Sequence, residues 1–306
     1  MIQAQFALLR REIWEHRAIL VVPLVVALLI VLTSLTGQVT IGELEHVDLA
    51  IIGATNMPEN ARSAALSGIM IALSSTFIFA MWILTIFYTL DSLYAERKDR
   101  SILFWRSIPC TDFETVLSKL LTAILVIPLA TFAVIIVTHL LVLLNISIWI
   151  DLRGGSAWHV IWSAVPFADN WTATLVILLA LPLWLSPFIG WSLFVSAFTK
   201  RSPLLTAALP IVLLPMLEKL LSDTTLFAEA FFVRSVQMPL FAGLDNMELL
   251  FQEGDEIAML AEAKLSLLSL MDLGGLLVDP QLWLGLIVCG LFTAAAIYVR
   301  RYRDES

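Results

Sequence analysis

Four cations, Arg97, Lys98, Arg100 and Arg106, fall within ten residues of one another in a polar stretch, Asp91 to Lys119, between two long apolar runs. Guanidinium and ammonium groups at that density suit ion pairing with the polar rim of a partner. Among them Ile102, Leu103, Phe104 and Trp105 offer an apolar face, and residues 101–107 fit a short helix that Pro109 blocks from continuing. Thr111-Asp112-Phe113-Glu114 reads as a capping box, a second helix start from which Phe113, Val116 and Leu120 run into the next apolar segment. A short amphipathic helix held at the mouth of two membrane helices is a handle for a docking protein.

Other chemistry is sparse. No G-x-x-x-x-G-K-[ST] phosphate loop occurs, and there is no H-E-x-x-H, G-x-S-x-G or CxxC, so the chain reads as a non-enzyme with no cofactor or metal of its own. His16, His46, His139 and His159 fall at spacings that suggest no metal cluster. An ion-coupled carrier keeps titratable groups in mid-membrane, whereas here Asp91 and Lys119 fall at inner ends of spans, and His139, Glu218 and Lys219 near outer ends. His139 reads as a hydrogen-bonding residue near the interface rather than a proton relay, and Glu218 and Lys219 as two separate charges. If the chain transports, its energy comes from nucleotide bound to a partner.

The elements that carry these residues are membrane spans. Of the 306 residues 59% are hydrophobic and 14% charged, and the mean hydropathy is +0.91, far more apolar than a soluble domain. The length allows about six spans of roughly 20 residues, predicted over 18–35, 64–90, 120–144, 171–198, 203–217 and 281–299. Ahead of them, Ile2, Phe6, Leu9 and Ile13 recur at helical spacing, so residues 1–17 read as an amphipathic helix in the membrane interface, with Trp14 and Arg17 as anchors. No removable signal peptide is apparent. Residues 145–170 carry Trp149, Trp158 and Trp162, with Trp171 just beyond, either a belt at the membrane surface or a sheltered hydrophobic loop. Pro182, Pro187, Pro210 and Pro215 kink the fourth and fifth spans, either as tolerated prolines or because broken helices line a path.

Residues 222–280 form an acidic insert of about 60 residues between the fifth and sixth spans, with Ile257, Leu260, Ala261, Leu265 and Leu268 at helical spacing. Cys110 and Cys289 fall at different depths and give no disulfide. With both termini inside, Arg10, Arg11, Arg17, the cations of the polar loop, Lys200, Arg201, Arg300, Arg301 and Arg303 are inner, leaving only Arg62, Arg153, Lys219, Arg234 and Lys264 outside. The net charge of −8 argues against a nucleic-acid partner.

The string AERKDRSILFWRSIPCTDFETVLSKLL resembles the loop after the second membrane helix of type-2 ABC (ABC-2) exporter permeases. There a charged start, a SILFW-type centre, a Pro and a Lys opening the next helix form the coupling helix that docks on a separate ATPase. The resemblance implies an all-α integral membrane protein of six transmembrane helices, with an N-terminal interfacial elbow helix and a helical extracytoplasmic insert between helices 5 and 6. It implies a prokaryotic inner-membrane location with cytoplasmic termini, a second permease subunit, identical or not, surrounding lipid, and ATP with magnesium held in the ATPase partner. Glu96, Arg97, Arg100, Ile102, Leu103, Trp105, Arg106 and Pro109 are the residues implied for that interface. The size and acidity of the insert depart from the family pattern. A reading of a different class is a non-transporting membrane scaffold or sensor whose outer insert binds a ligand or partner.

Overall fold

The computed structural model describes residues 2–35, 55–99, 111–241 and 266–302. Among these residues the chain is helical and has no strand. In order come α1 (Ile2–Glu15), α2 (Ala18–Leu35), α3 (Glu59–Lys98), α4 (Asp112–Leu121), a π-helical turn (Thr122–Val126), α5 (Ile127–Leu152), α6 (Phe167–Trp184), α7 (Ser186–Phe198), α8 (Pro203–Ser222), α9 (Leu226–Val236), α10 (Leu273–Val278) and α11 (Pro280–Tyr302). Among the described residues six helical stretches are long and apolar enough to cross a bilayer, namely α2, α3, Asp112–Leu152, α6, α8 and α11, so the chain is a multi-pass membrane protein.

The second and third spans are longer than the sequence suggests. Forty residues of α3 rise about 60 Å, twice the thickness of a hydrocarbon core, so its polar ends extend beyond it. Met70, Ser74, Phe77, Met81, Leu84 and Tyr88 recur at three and four along its buried face. The capping box at Thr111 is present: Glu114 N–H donates to Thr111 Oγ1 at 3.1 Å, and Thr111 N–H donates to Glu114 Oε2 at 3.0 Å. From there the helix runs unbroken to Leu152 except at the π-helical turn, where Ile127 N–H reaches back to Thr122 O. Pro128 follows, and the wider turn takes up the clash its ring would make.

The fourth expected span is two helices rather than one. The break falls at Leu185, two residues before Pro187, because a proline ring clashes with the preceding turn and has no N–H to donate. By contrast α8 continues through Pro210 and Pro215 and buries only Ala207, so it lies on the outside of the bundle. Expected between two spans as a surface belt or a sheltered hydrophobic loop, residues 145–170 extend α5 to Leu152 and add a π-helical turn over Trp158–Trp162. Trp162 stacks on Phe167, which packs on Trp171, and Trp162 Nε1 donates to Ser147 Oγ at 2.9 Å; Trp158 remains exposed.

The core joins five helices through Ile19, Phe77, Met81, Ile127, Ile135, Leu178 and Leu193. Close approach of α7 and α11 depends on Gly190, where a Cβ would sit 2.8 Å from Cys289 Cα. Buried Cys289 has no disulfide. Within the described part of the insert, Glu218 gathers the start of α9 by accepting from Leu226 N–H at 2.7 Å and Phe227 N–H at 2.8 Å. The returning chain is fixed by Asp169, which accepts from Leu267 N–H at 2.7 Å and from Ser266 Oγ. The predicted helical residues Ile257, Leu260, Ala261 and Leu265 lie outside the described residues, and Leu268 begins a 3-10 turn.

Candidate functional site

Three stretches distant in sequence meet at the end of the bundle that carries α1. Glu12 on α1 and Lys119 on α4 are both fully buried, and Lys119 Nζ donates to Glu12 Oε1 at 3.0 Å and Oε2 at 3.2 Å. The same ammonium lies 3.0 Å from Glu96 Oε1, near the end of α3. Arg11 Nη2 reaches that oxygen at 3.0 Å, while Arg300 Nη1, from α11, donates to Glu96 Oε2 at 2.6 Å. Arg300 Nε also donates to Asp112 Oδ1 at 2.9 Å. Tyr88 O–H donates to Glu12 Oε2 at 2.8 Å, and the His16 ring stands edge-on to Tyr88 with centroids 4.9 Å apart.

Local sequence explains why each group points inward. On α1 the buried positions are Leu8 and Glu12, one turn apart, whereas Phe6 and Trp14 face outward. Of the apolar stripe read from the sequence, Phe6 is exposed and Leu9 and Ile13 are half-buried, so the closest packing on the bundle falls at Leu8 and Glu12 beside it. Lys119 lies between Val116 and Ala123, both fully buried, so its own position falls on the buried face of the helix. Glu96 follows one and two turns behind Ser92 and Tyr88 on the packed side of α3.

Two carboxylates, an ammonium and two guanidiniums removed from water are tolerable only because each charge is met by an opposite one at hydrogen-bond distance. The carboxylate oxygens of Glu12, Glu15 and Glu96 lie within 4.8 Å of one another, a spacing that would suit a cation. Lys119 and Arg11 provide the positive charge there, with Arg11 Nε also 2.8 Å from Glu15 Oε1. Burial pushes the His16 imidazole below its ordinary value, opposed by the nearby Glu12 charge and assisted by that of Lys119. The arrangement is an electrostatic joint that fixes α1, α3, α4 and α11 relative to one another.

Of the residues expected at a docking surface, Glu96 is instead 5% exposed and held in this joint. Its charge is matched internally, which is the physical reason to remove it from a surface contact. Arg97 turns the other way, donating through Nη2 to Thr199 O at 2.9 Å and to Ser196 O, at the end of α7. Ser196 Oγ in turn accepts from Leu93 and Tyr94 N–H at 3.1 and 3.0 Å. Arg100, Ile102, Leu103, Trp105, Arg106 and Pro109 lie outside the described residues, as does Cys110.

The roles of Glu12, Tyr88, Lys119 and Arg300 as one buried group were not read from the sequence. The available signal was Lys119, a cation at helical spacing between apolar neighbours; Arg300 was grouped with Arg301 and Arg303 as a basic stop. Deeper in the bundle, His139 is buried, with Nε2 3.3 Å from Ser74 Oγ, and that hydroxyl is 3.5 Å from Thr174 Oγ1. Hydrogen bonding is thus its observed role. Glu218 and Lys219 do act separately, Lys219 pairing with Asp223 at 2.6 Å.

Comparison with models of protein families, with curated proteins and with solved structures found no match for this chain.

Proposed function

We propose that the chain is the membrane-spanning subunit of an ATP-driven exporter of the type-2 ABC kind, coupled to a separate ATPase through the loop 91–119 on the cytoplasmic face. The observation that supports this reading is that both ends of the loop enter one joint: Glu96 near its start, and Asp112 and Lys119 near its end, share partners with Glu12 and Arg300. A force applied to the loop would be passed to four helices together, because none of these charges can leave its partner without a large desolvation cost. In this reading helix α1 is the elbow, supported by the exposure of Phe6 and Trp14. ATP and magnesium belong to the partner, and a second permease subunit completes the pathway. With Glu96 engaged internally, the gripping residues are Arg100, Ile102, Leu103, Trp105 and Arg106.

The test is co-purification. Trp105→Ala combined with Arg106→Ala is expected to abolish association with the ATPase while leaving membrane insertion intact, and retained association overturns the reading. Orientation is tested independently: an impermeant maleimide added outside intact cells should leave Cys110 unmodified, and modification would put the loop on the wrong face.

A further inference from the structure

Several turns along α3 from the ion-pair joint, a cavity of about 440 Å³ lies between α3, α6 and the returning end of the insert. Ile78 and Trp82 on α3 face Ala173 and Ile177 on α6, and Leu270 and Met271 close a third side. Among the described residues no charged side chain lines it. Its hydroxyl protons are already engaged within the protein: Ser75 Oγ donates to Ala72 O at 2.8 Å and Ser235 Oγ to Phe231 O at 2.8 Å, while Ser74 Oγ lies against His139 and Thr174. An ion or a sugar entering this space would give up its hydration for nothing, whereas a hydrocarbon loses none.

The open side of the cavity identifies where its occupant comes from. Ile71, Ser75 and Phe79 form that side and are exposed, Phe79 at 68%. They lie within the apolar length of a membrane-crossing helix, so the mouth faces bilayer hydrocarbon rather than water. The space is also of ligand size rather than a packing defect. A second cavity of about 220 Å³ shares Trp82, Leu185 and Ser235 as a common wall and continues to Ile86 and Leu90. From Ile71 to Leu90 the two follow about 29 Å of helix, close to the depth of the hydrocarbon core. Leu185, in the shared wall, is where the α6–α7 rod breaks.

We propose that the larger cavity is a binding site for the acyl chain of a membrane lipid, entered sideways from the bilayer between Ile71 and Phe79. The site goes beyond the exporter reading and does not depend on it.

The test uses the full chain in lipid nanodiscs doped with phosphatidylcholine bearing a diazirine midway along one acyl chain, with no ATPase or nucleotide present. After illumination, peptide mapping is expected to find label on Ala173, Thr174 and Ile177 as well as on outward-facing Leu29 and Ile287. Ala173→Trp fills the cavity and should reduce label on residues 174–185 several-fold, with Leu29 and Ile287 unchanged. If that variant is poorly folded, Ile177→Phe serves in its place. Label confined to Leu29 and Ile287 overturns the proposal, as does wall labelling that both filling variants leave unchanged. Because no ATPase enters the measurement, a negative result here leaves the coupling reading intact, and loss of that reading leaves this site intact.

Discussion

The Lys119 ammonium bridges the Glu12 and Glu96 carboxylates at 3.0 Å from each, and Lys119 and Glu12 are closed to solvent. The helix that follows the polar loop is thereby bound to the N-terminal helix and to the helix that precedes the loop. Charges held this way tolerate removal together better than removal singly.

Lys119→Met should lower the stability of the purified protein by about 3–5 kcal/mol, because it leaves Glu12 buried without the cation that bonds both its oxygens. Glu12→Gln together with Lys119→Met should recover more than half of that loss, since Tyr88 keeps an oxygen acceptor and Glu96 keeps Arg11 and Arg300. Thermal unfolding in detergent measures both. Equal losses in the single and double variants would show that the pair is not the source of the effect.

Arg300 and Arg301 are neighbours with opposite surroundings. Arg300 is buried on Glu96 and Asp112, so Arg300→Ala should cost about 3–5 kcal/mol, the usual penalty for stripping one partner from a buried pair. Arg301 is exposed, and Arg301→Ala should stay within about 0.5 kcal/mol. The same unfolding assay checks both, and similar behaviour of the two variants would contradict the placement of Arg300.

Acidification should loosen the joint through His16. Burial lowers its folded-state pKa below the ordinary value, with Glu12 opposing and Lys119 assisting the shift, so the unfolded chain takes up the proton first. Stability from this group is complete above about pH 6.5, the unfolded value, and is lost as pH falls toward the folded value. The melting temperature of the native protein should therefore drop between neutral and mildly acid pH, and His16→Gln should flatten that slope. A slope unchanged by the substitution would assign the effect elsewhere.

Two glycines permit close approaches that alanine would obstruct. A Cβ at position 285 would lie 1.9 Å from Arg234 Nη2, and this guanidinium both donates to Gln281 O at 2.6 Å and covers the Trp184 ring at 4.0 Å. Gly285→Ala should therefore release α9, seen as faster amide exchange over 226–236 with the bundle unchanged. Gly190→Ala pushes backbone against backbone at Cys289 and should cost about 1–3 kcal/mol of overall stability. Slow exchange over 226–236 in Gly285→Ala would mean that Arg234 does not hold this helix down.

The spans were legible in the sequence because a bilayer demands a long apolar run whatever the fold, and Ala18–Leu35 begins and ends where its composition changes. The Thr111 capping box was legible because its two hydrogen bonds are local. Glu12 and Lys119 were not, since helical spacing shows which face a residue occupies and not which helix comes to meet it. The break at Leu185 shows an intermediate case. Pro182 and Pro187 both announce a kink, but α6 absorbs the first and the chain yields only near the second. The burial of Glu96 was not legible for the opposite reason: in a charge-rich string every acid looks solvated until its partners are known.

Arg300 meets Asp112 across 188 residues of chain. During synthesis Glu96 and Asp112 are made long before the guanidinium that they share, so the joint is complete only when the helix beginning at Pro280 arrives. A chain stalled before that point keeps Glu96 on Lys119 and Arg11 but leaves Asp112 without its guanidinium, a joint one cation short.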